Sequence, residues 1–174
     1  MKIFNAVVMA IAVGAIAASP VAAQKKTVVK GKVKQTTIVG KNTTVAVGKG
    51  AKARTRIGSI GGGSKIKGKV KQTTIVGKNT NVGVGKNVKA TSNIGVIRNS
   101  KIKGKVKQTT IVGKNTNVAV GKGAKAVSTI GAIQNAKIKG KVKQTTIVGK
   151  NTNVAVGKGA KACSEIGTIG DSKC

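Results

Sequence analysis

A repetitive β-solenoid of four units is the fold this sequence predicts, with an antiparallel β meander as the alternative, and three observations predict it. The phrase KGKVKQTTIVGKNT occurs four times, starting at Lys30, Lys67, Lys103 and Lys139, at spacings of 37, 36 and 36 residues. Glycines punctuate each unit at steps of 8 to 10 residues, as at Gly104, Gly113, Gly121, Gly131 and Gly140. Such steps suit short strands joined by tight turns. The residues between the glycines are rich in Val, Ile and Thr and alternate in character, which favours strands over helices.

Taken in chain order, the first element is a leader. Met1-Lys2 opens with a positive charge, Ile3 to Ala18 is an almost unbroken apolar run, and Ser19-Pro20 breaks it ahead of the small-residue pattern Val21-Ala22-Ala23. This is the layout of a cleaved signal peptide over residues 1–23, too short for a comfortable membrane span. Residues 24–174 then form a single repeat domain, with units at about 30–66, 67–102, 103–138 and 139–174. Export places the chain outside the cell, at the cell surface or in the periplasm.

Each unit opens with a lysine-alternating segment. From Lys101 to Val112 the even positions read Ile102, Gly104, Val106, Gln108, Thr110 and Val112, whereas Lys101, Lys103, Lys105 and Lys107 hold the odd ones. The equivalent lysines are Lys65, Lys67, Lys69 and Lys71 in the preceding unit and Lys137, Lys139, Lys141 and Lys143 in the following one. Stacked in register, they would form cationic rows on the outside. Gln35, Gln72, Gln108 and Gln144 would form an internal amide ladder.

The same parity is expected to continue inward through Thr116, Val118, Val120, Ala124, Ala126, Ser128 and Ile130, with Lys114 and Lys122 in turns beside their glycines. A third reading is ice or crystal-surface binding through an outer Thr-bearing ladder over Thr109-Thr110 and Asn115-Thr116-Asn117, a face that the interleaved lysines disturb. Looser segments of the type S-x-I-G-x-I close each unit, and the extra residue of the first spacing falls at Gly61-Gly62-Gly63. Whether a unit makes one coil or two is open at this stage.

The chain ends on Cys163 and Cys174. In an exported protein one bridge between them would close a short loop and contribute about 2–3 kcal/mol.

Composition excludes most chemistry. Without Lys2 and the rest of the leader, 33 Lys and Arg face only Glu165 and Asp171, a net charge of +31. There is no His, Trp or Tyr, so no imidazole is present as base or metal ligand, and residues 24–174 hold no aromatic ring for stacking. No enzyme, cofactor, metal or small-molecule substrate is expected. The G-x-G-x-x-A match at Gly48 lacks the helix and the distant acid that a dinucleotide site needs, and reads as a turn. The expected partners are anionic polymers or surfaces, such as polysaccharide, lipopolysaccharide and extracellular DNA read without sequence specificity, together with further copies of the chain assembling into fibres.

The Gly-punctuated alternating repeats with inward Gln resemble those of curli-type fibre subunits, whose strand–turn–strand units stack as a functional amyloid. Asn117 to Ala126, reading NVAVGKGAKA, is similar to the head repeats of trimeric autotransporter adhesins, which form β-rolls. Both resemblances imply a structural or adhesive role in a biofilm matrix or at a surface. A soluble, monomeric polyanion-binding module is the alternative.

Overall fold

The computed structural model describes residues 28–61 and 63–170, so the leader and the Cys163–Cys174 pairing lie outside the described residues. Within them the chain is all β, without a helix, and winds as a solenoid of about four turns. One repeat makes one coil. Coil 1 holds β1 (Val28–Lys30), β2 (Val33–Val47) and β3 (Lys52–Ile57). Coil 2 holds β4 (Lys65–Lys67), β5 (Val70–Val84), β6 (Lys89–Ile94) and β7 (Ile97–Arg98).

Coil 3 repeats the pattern with β8 (Lys101–Lys103), β9 (Val106–Val120), β10 (Lys125–Ile130) and β11 (Ile133–Gln134). Coil 4 adds β12 (Lys137–Lys139), β13 (Val142–Val156) and β14 (Lys161–Ile166).

Every pairing between coils is parallel, and equivalent residues face one another. β2, β5, β9 and β13 form the longest sheet; β1, β4, β8 and β12 a second; β3, β6, β10 and β14 a third; β7 and β11 a fourth. Gln72, for example, stands opposite Gln108, and Gln108 opposite Gln144. The antiparallel meander is therefore not the fold. Its pairing would reverse strand direction at each turn, whereas near-identical units stack like on like when they run parallel.

The extra residue of the first unit leaves these ladders intact. Ile60 pairs with Ile97, an offset of 37, while Lys65 pairs with Lys101, an offset of 36. The added residue thus lies within 61–64, between strands, where the glycines were expected to absorb it.

Along the long strand the expected parity fails at one place. Gly113 and Lys114 are both exposed, after which Asn115, Asn117 and Ala119 are buried and Thr116, Val118 and Val120 lie on the outer side. β9 continues through Gly113 as one bent strand of 15 residues instead of breaking into two at a turn. Two consecutive outward residues act like a bulge, bending the strand and shifting the period by one. All four copies carry the Gly-Lys pair, so the bend stacks on itself and no ladder is lost.

Gly113 is needed there for space: a Cβ would lie 2.6 Å from the Gly77 carbonyl oxygen of the coil beneath. At Gly104 conformation and space coincide, with φ +140° and a Cβ position 1.9 Å from the Gly68 carbonyl oxygen.

The core is a set of columns of aliphatic side chains. Val39, Val76 and Val112 pack against Ile57, Ile94 and Ile130 in one cluster. Ile66, Val70, Ile102 and Val106 pack against Ile97 and Ile133 in another. Ala119, Ala124 and Ala126 close the narrow end, where the bent strand returns as β10. Each buried Val or Ile contributes about 1.5–3 kcal/mol, so the stack needs no aromatic ring.

Between the apolar columns run two amide ladders that the alternation did not foresee. Asn42 Nδ2 donates to Asn79 Oδ1 at 2.6 Å, Asn79 Nδ2 to Asn115 Oδ1 at 2.7 Å, and Asn115 Nδ2 to Asn151 Oδ1 at 2.8 Å. Asn81, Asn117 and Asn153 form the second, at 3.0 and 2.8 Å. Ser128 and Ser164 of the facing strands share bonds with both ladders, as where Asn79 Nδ2 and Asn81 Nδ2 donate to Ser128 Oγ at 3.1 and 2.8 Å, and Ser92 bonds to the first.

Candidate functional site

Outside this core the lysines fall into rows. β4, β8 and β12 align Lys65, Lys101 and Lys137, and also Lys67, Lys103 and Lys139, the latter continuing to Lys30 on β1. Lys34, Lys71, Lys107 and Lys143 align along the long sheet. Lys32, Lys69, Lys105 and Lys141 occupy the same corner of successive coils, where Val33 N donates to Lys69 O, Val70 N to Lys105 O and Val106 N to Lys141 O, each at 2.8 Å. The twelve lysines singled out in the sequence thus occupy one continuous, exposed surface.

Three further rows complete the pattern. Lys41, Lys78, Lys114 and Lys150 ride on the bend; Lys52, Lys89, Lys125 and Lys161 open the third sheet; Lys49, Lys86, Lys122 and Lys158 sit in the turns between β2 and β3 and their equivalents. Lys114 belongs to a strand, not to the expected turn, whereas Lys122 is in one. All lysines among the described residues belong to these seven rows. Coils lie about 4.8 Å apart and alternate residues about 6.8 Å apart along a strand. Both distances are shorter than the Debye length of about 8 Å at physiological salt, so neighbouring charges are only partly screened.

The glutamine column differs from its expected chemistry. Gln72 and Gln108 are fully buried and in register, but Gln108 Nε2 donates to the Gly95 carbonyl and Gln144 Nε2 to the Gly131 carbonyl, so the side chains tie the long sheet to the turn after the third. Gln35 and Gln144, on the outer coils, are half-buried. The amide-to-amide ladder is made by asparagine instead. Asn115 and Asn117, expected on an outer Thr-bearing face, are 0% exposed. What does face outward beyond the bend is a charge-free strip of Thr43, Val45 and Val47 and their counterparts in the other coils.

The arginines and the acid were not foreseen as a group. Arg54 and Arg56 lie on β3, aligned with Thr91 and Asn93; Arg98 lies on β7, aligned with Gln134. Arg98 donates through Nε (3.0 Å) and Nη2 to Gln134 Oε1, and Gln134 Nε2 donates to Glu165 Oε2 at 2.7 Å. Thr129 Oγ1 reaches the same carboxylate oxygen at 3.5 Å.

Glu165 is 5% exposed and Gln134 2%, so this acid is a buried anchor. Burial, then the charges of Arg56 and Arg98, hold the Arg54 guanidinium below its ordinary pKa. Arg98 is lowered by burial and by Arg56, with Glu165 opposing. The signal that could have located the group is the loose segment, the part of each unit where the repeat varies most.

No protein-family model matches this chain, and neither a curated protein nor a solved structure matches it.

Proposed function

We propose that this protein is an exported, non-enzymatic structural or adhesive element whose lysine rows bind anionic polymers outside the cell. The observation that carries the reading is the alignment of every described lysine into rows parallel to the solenoid axis. A surface whose charges repel along two directions at less than a Debye length gains most from a ligand that is itself a charged line. Acidic polysaccharide, lipopolysaccharide and extracellular DNA have that form. The inventory without His and with two carboxylates supports a role without catalysis.

Binding to heparin, alginate and duplex DNA, measured against salt, tests the proposal. Tight binding with a steep loss of affinity on raising chloride supports it; indifference to all three polymers at low salt overturns it.

A fibre-forming version is favoured over a monomeric module by the coil ends. The asparagine ladders are polar: each Nδ2 donates toward the next coil, so Asn42 sits at an acceptor end and Asn151 at a donor end. Asn151, Asn153 and Ala155 are exposed on coil 4, although their coil 3 counterparts are buried. A second copy stacked head to tail would bring Asn151 Nδ2 to Asn42 Oδ1 with matching polarity, and Asn153 opposite Thr44. Fibres in negative stain support that version. A monodisperse species at every salt concentration leaves the monomeric, polyanion-binding module.

A further inference from the structure

We propose that Arg54, Arg56 and Arg98 form a binding site for a single doubly charged oxyanion, the phosphate or sulfate ester group of a larger ligand, separate in mechanism from the lysine rows. The proposal deepens the polyanion reading and depends on it only for the identity of that larger ligand.

Placement is the first argument. The chain has three arginines against 31 lysines, and all three fall on two adjacent coils. They line two clefts that share Asn93 and Arg98. One, of about 370 Å³, is bordered by Arg56, Asn93, Arg98 and Ser59. The other, of about 510 Å³, is bordered by Lys52, Arg54, Lys89, Arg98 and Gln134. The repeat does not require arginine here. In the other coils the column of Arg54 carries Thr91, Val127 and Cys163, and that of Arg56 carries Asn93, Thr129 and Glu165.

Pre-organisation is the second. The Arg98 guanidinium is held on one side by Gln134 Oε1, and Asn93 Oδ1 lies 3.5 Å from Nη2. Gln134 is held in turn by Glu165 from the next coil. These bonds employ Nε and Nη2; the Nη1 donors are not among them. A guanidinium fixed in this way turns its Nη1 donors to a ligand at little further entropic cost.

Charge is the third. Three like charges gathered at two adjoining clefts are unfavourable by themselves; among the described residues no carboxylate lines either cleft, and Glu165, buried behind Gln134 and Thr129, opposes burial and Arg56 only at Arg98. An oxyanion placed among them removes that repulsion and accepts paired, charge-assisted hydrogen bonds, which a lysine cannot supply in the same planar geometry. Donors coming from both β3 and β7, on three guanidinium groups, suit a group with three terminal oxygens better than a carboxylate with two.

The test is titration of the whole protein with inorganic phosphate, sulfate and acetate at constant ionic strength, followed by amide NMR shifts. Saturable binding of phosphate and sulfate is expected, with acetate at least ten-fold weaker. Arg98→Lys and the double variant Arg54→Lys/Arg56→Lys keep the net charge and should each weaken phosphate at least ten-fold. Lys103→Gln/Lys105→Gln, on another surface, should leave it unchanged. The exposed double variant guards against misfolding of Arg98→Lys, and circular dichroism checks both.

Equal phosphate binding by the lysine-for-arginine variants overturns the proposal, as does a linear, non-saturating response. With the double variant, weaker capture of phosphatidic-acid vesicles alone identifies a lipid headgroup, and weaker capture of dextran sulfate alone a glycan ester. Loss on neither counts against the site. If the wild-type protein binds no polymer at all, the proposed function fails while the phosphate titration still judges this site.

Discussion

Asn79 donates to Asn115 across adjacent coils at 2.7 Å, and both side chains are 0% exposed. Each also belongs to a three-way junction, Asn79 with Ser128 at 3.1 Å and Asn115 with Ser164 at 2.9 Å. A polar ladder inside an aliphatic stack stabilises only while every rung is present, because a broken rung leaves buried donors and acceptors without partners.

Asn115→Ala should therefore cost more than the loss of one bond. Removing it orphans the buried Asn79 Nδ2 in part, at about 1–3 kcal/mol for a buried group left unmatched, while Asn151 Oδ1 on coil 4 is open to water. Asn153→Ala, on exposed coil 4, should cost under about 1 kcal/mol. Urea unfolding followed by circular dichroism measures both; equal losses would mean that the ladder does not act through burial.

The bend at Gly113 makes a paired prediction. Gly113→Ala places a Cβ 2.6 Å from the Gly77 carbonyl oxygen, whereas Gly40→Ala meets nothing within 4 Å. Neither glycine has a positive φ, so the comparison isolates close approach from backbone conformation. The first should destabilise by about 1–3 kcal/mol, as overpacking does. The second should be neutral or stabilising by up to about 1 kcal/mol. Thermal melts decide it, and a destabilised Gly40→Ala would contradict the one-sided stacking of the bend.

How much of this was legible in the sequence follows from what kind of periodicity each feature has. The solenoid and the inward set from Ile102 to Val112 follow from a 36-residue identity and a two-residue alternation, whereas the choice of one coil per repeat over two came only with the pairing between coils. The parity shift at Gly113-Lys114 did not follow, because a glycine beside a lysine reads equally as a turn or as a bulge. That one-residue slip puts Asn115 and Asn117 on the wrong face, and it points the search for a buried ladder to Gln108, whose amide reaches a turn carbonyl. The Arg98–Gln134–Glu165 line joins three coils, and nothing local in the sequence signals a relation between those positions.

Lysine repulsion predicts a dependence of folding on salt. Since rows such as Lys103–Lys139 keep equal charges about 4.8 Å apart, the folded state should gain stability as ionic strength rises, and more from sulfate than from chloride. The midpoint of thermal unfolding at low and at high salt measures it. A midpoint that falls or does not move would argue against in-register charge rows.

The polymer-binding reading predicts a countable effect. On duplex DNA, the slope of log K against log salt changes by about 0.9 for each phosphate that the protein no longer neutralises. Lys103→Gln/Lys105→Gln should thus flatten the slope by up to about 2, without regard to DNA sequence. Filter binding across a salt series provides the number, and an unchanged slope would remove these rows from the interface.

The offset change between Ile60 and Lys65 has a practical consequence. Coil 1 carries one residue more than coils 2 and 3, and the hydrogen-bonded ladders on either side, Ile60 with Ile97 and Lys65 with Lys101, absorb none of the difference. That corner is a natural splice point. A foreign peptide introduced between Gly61 and Ser64 would be displayed on the rim of an otherwise unaltered rod.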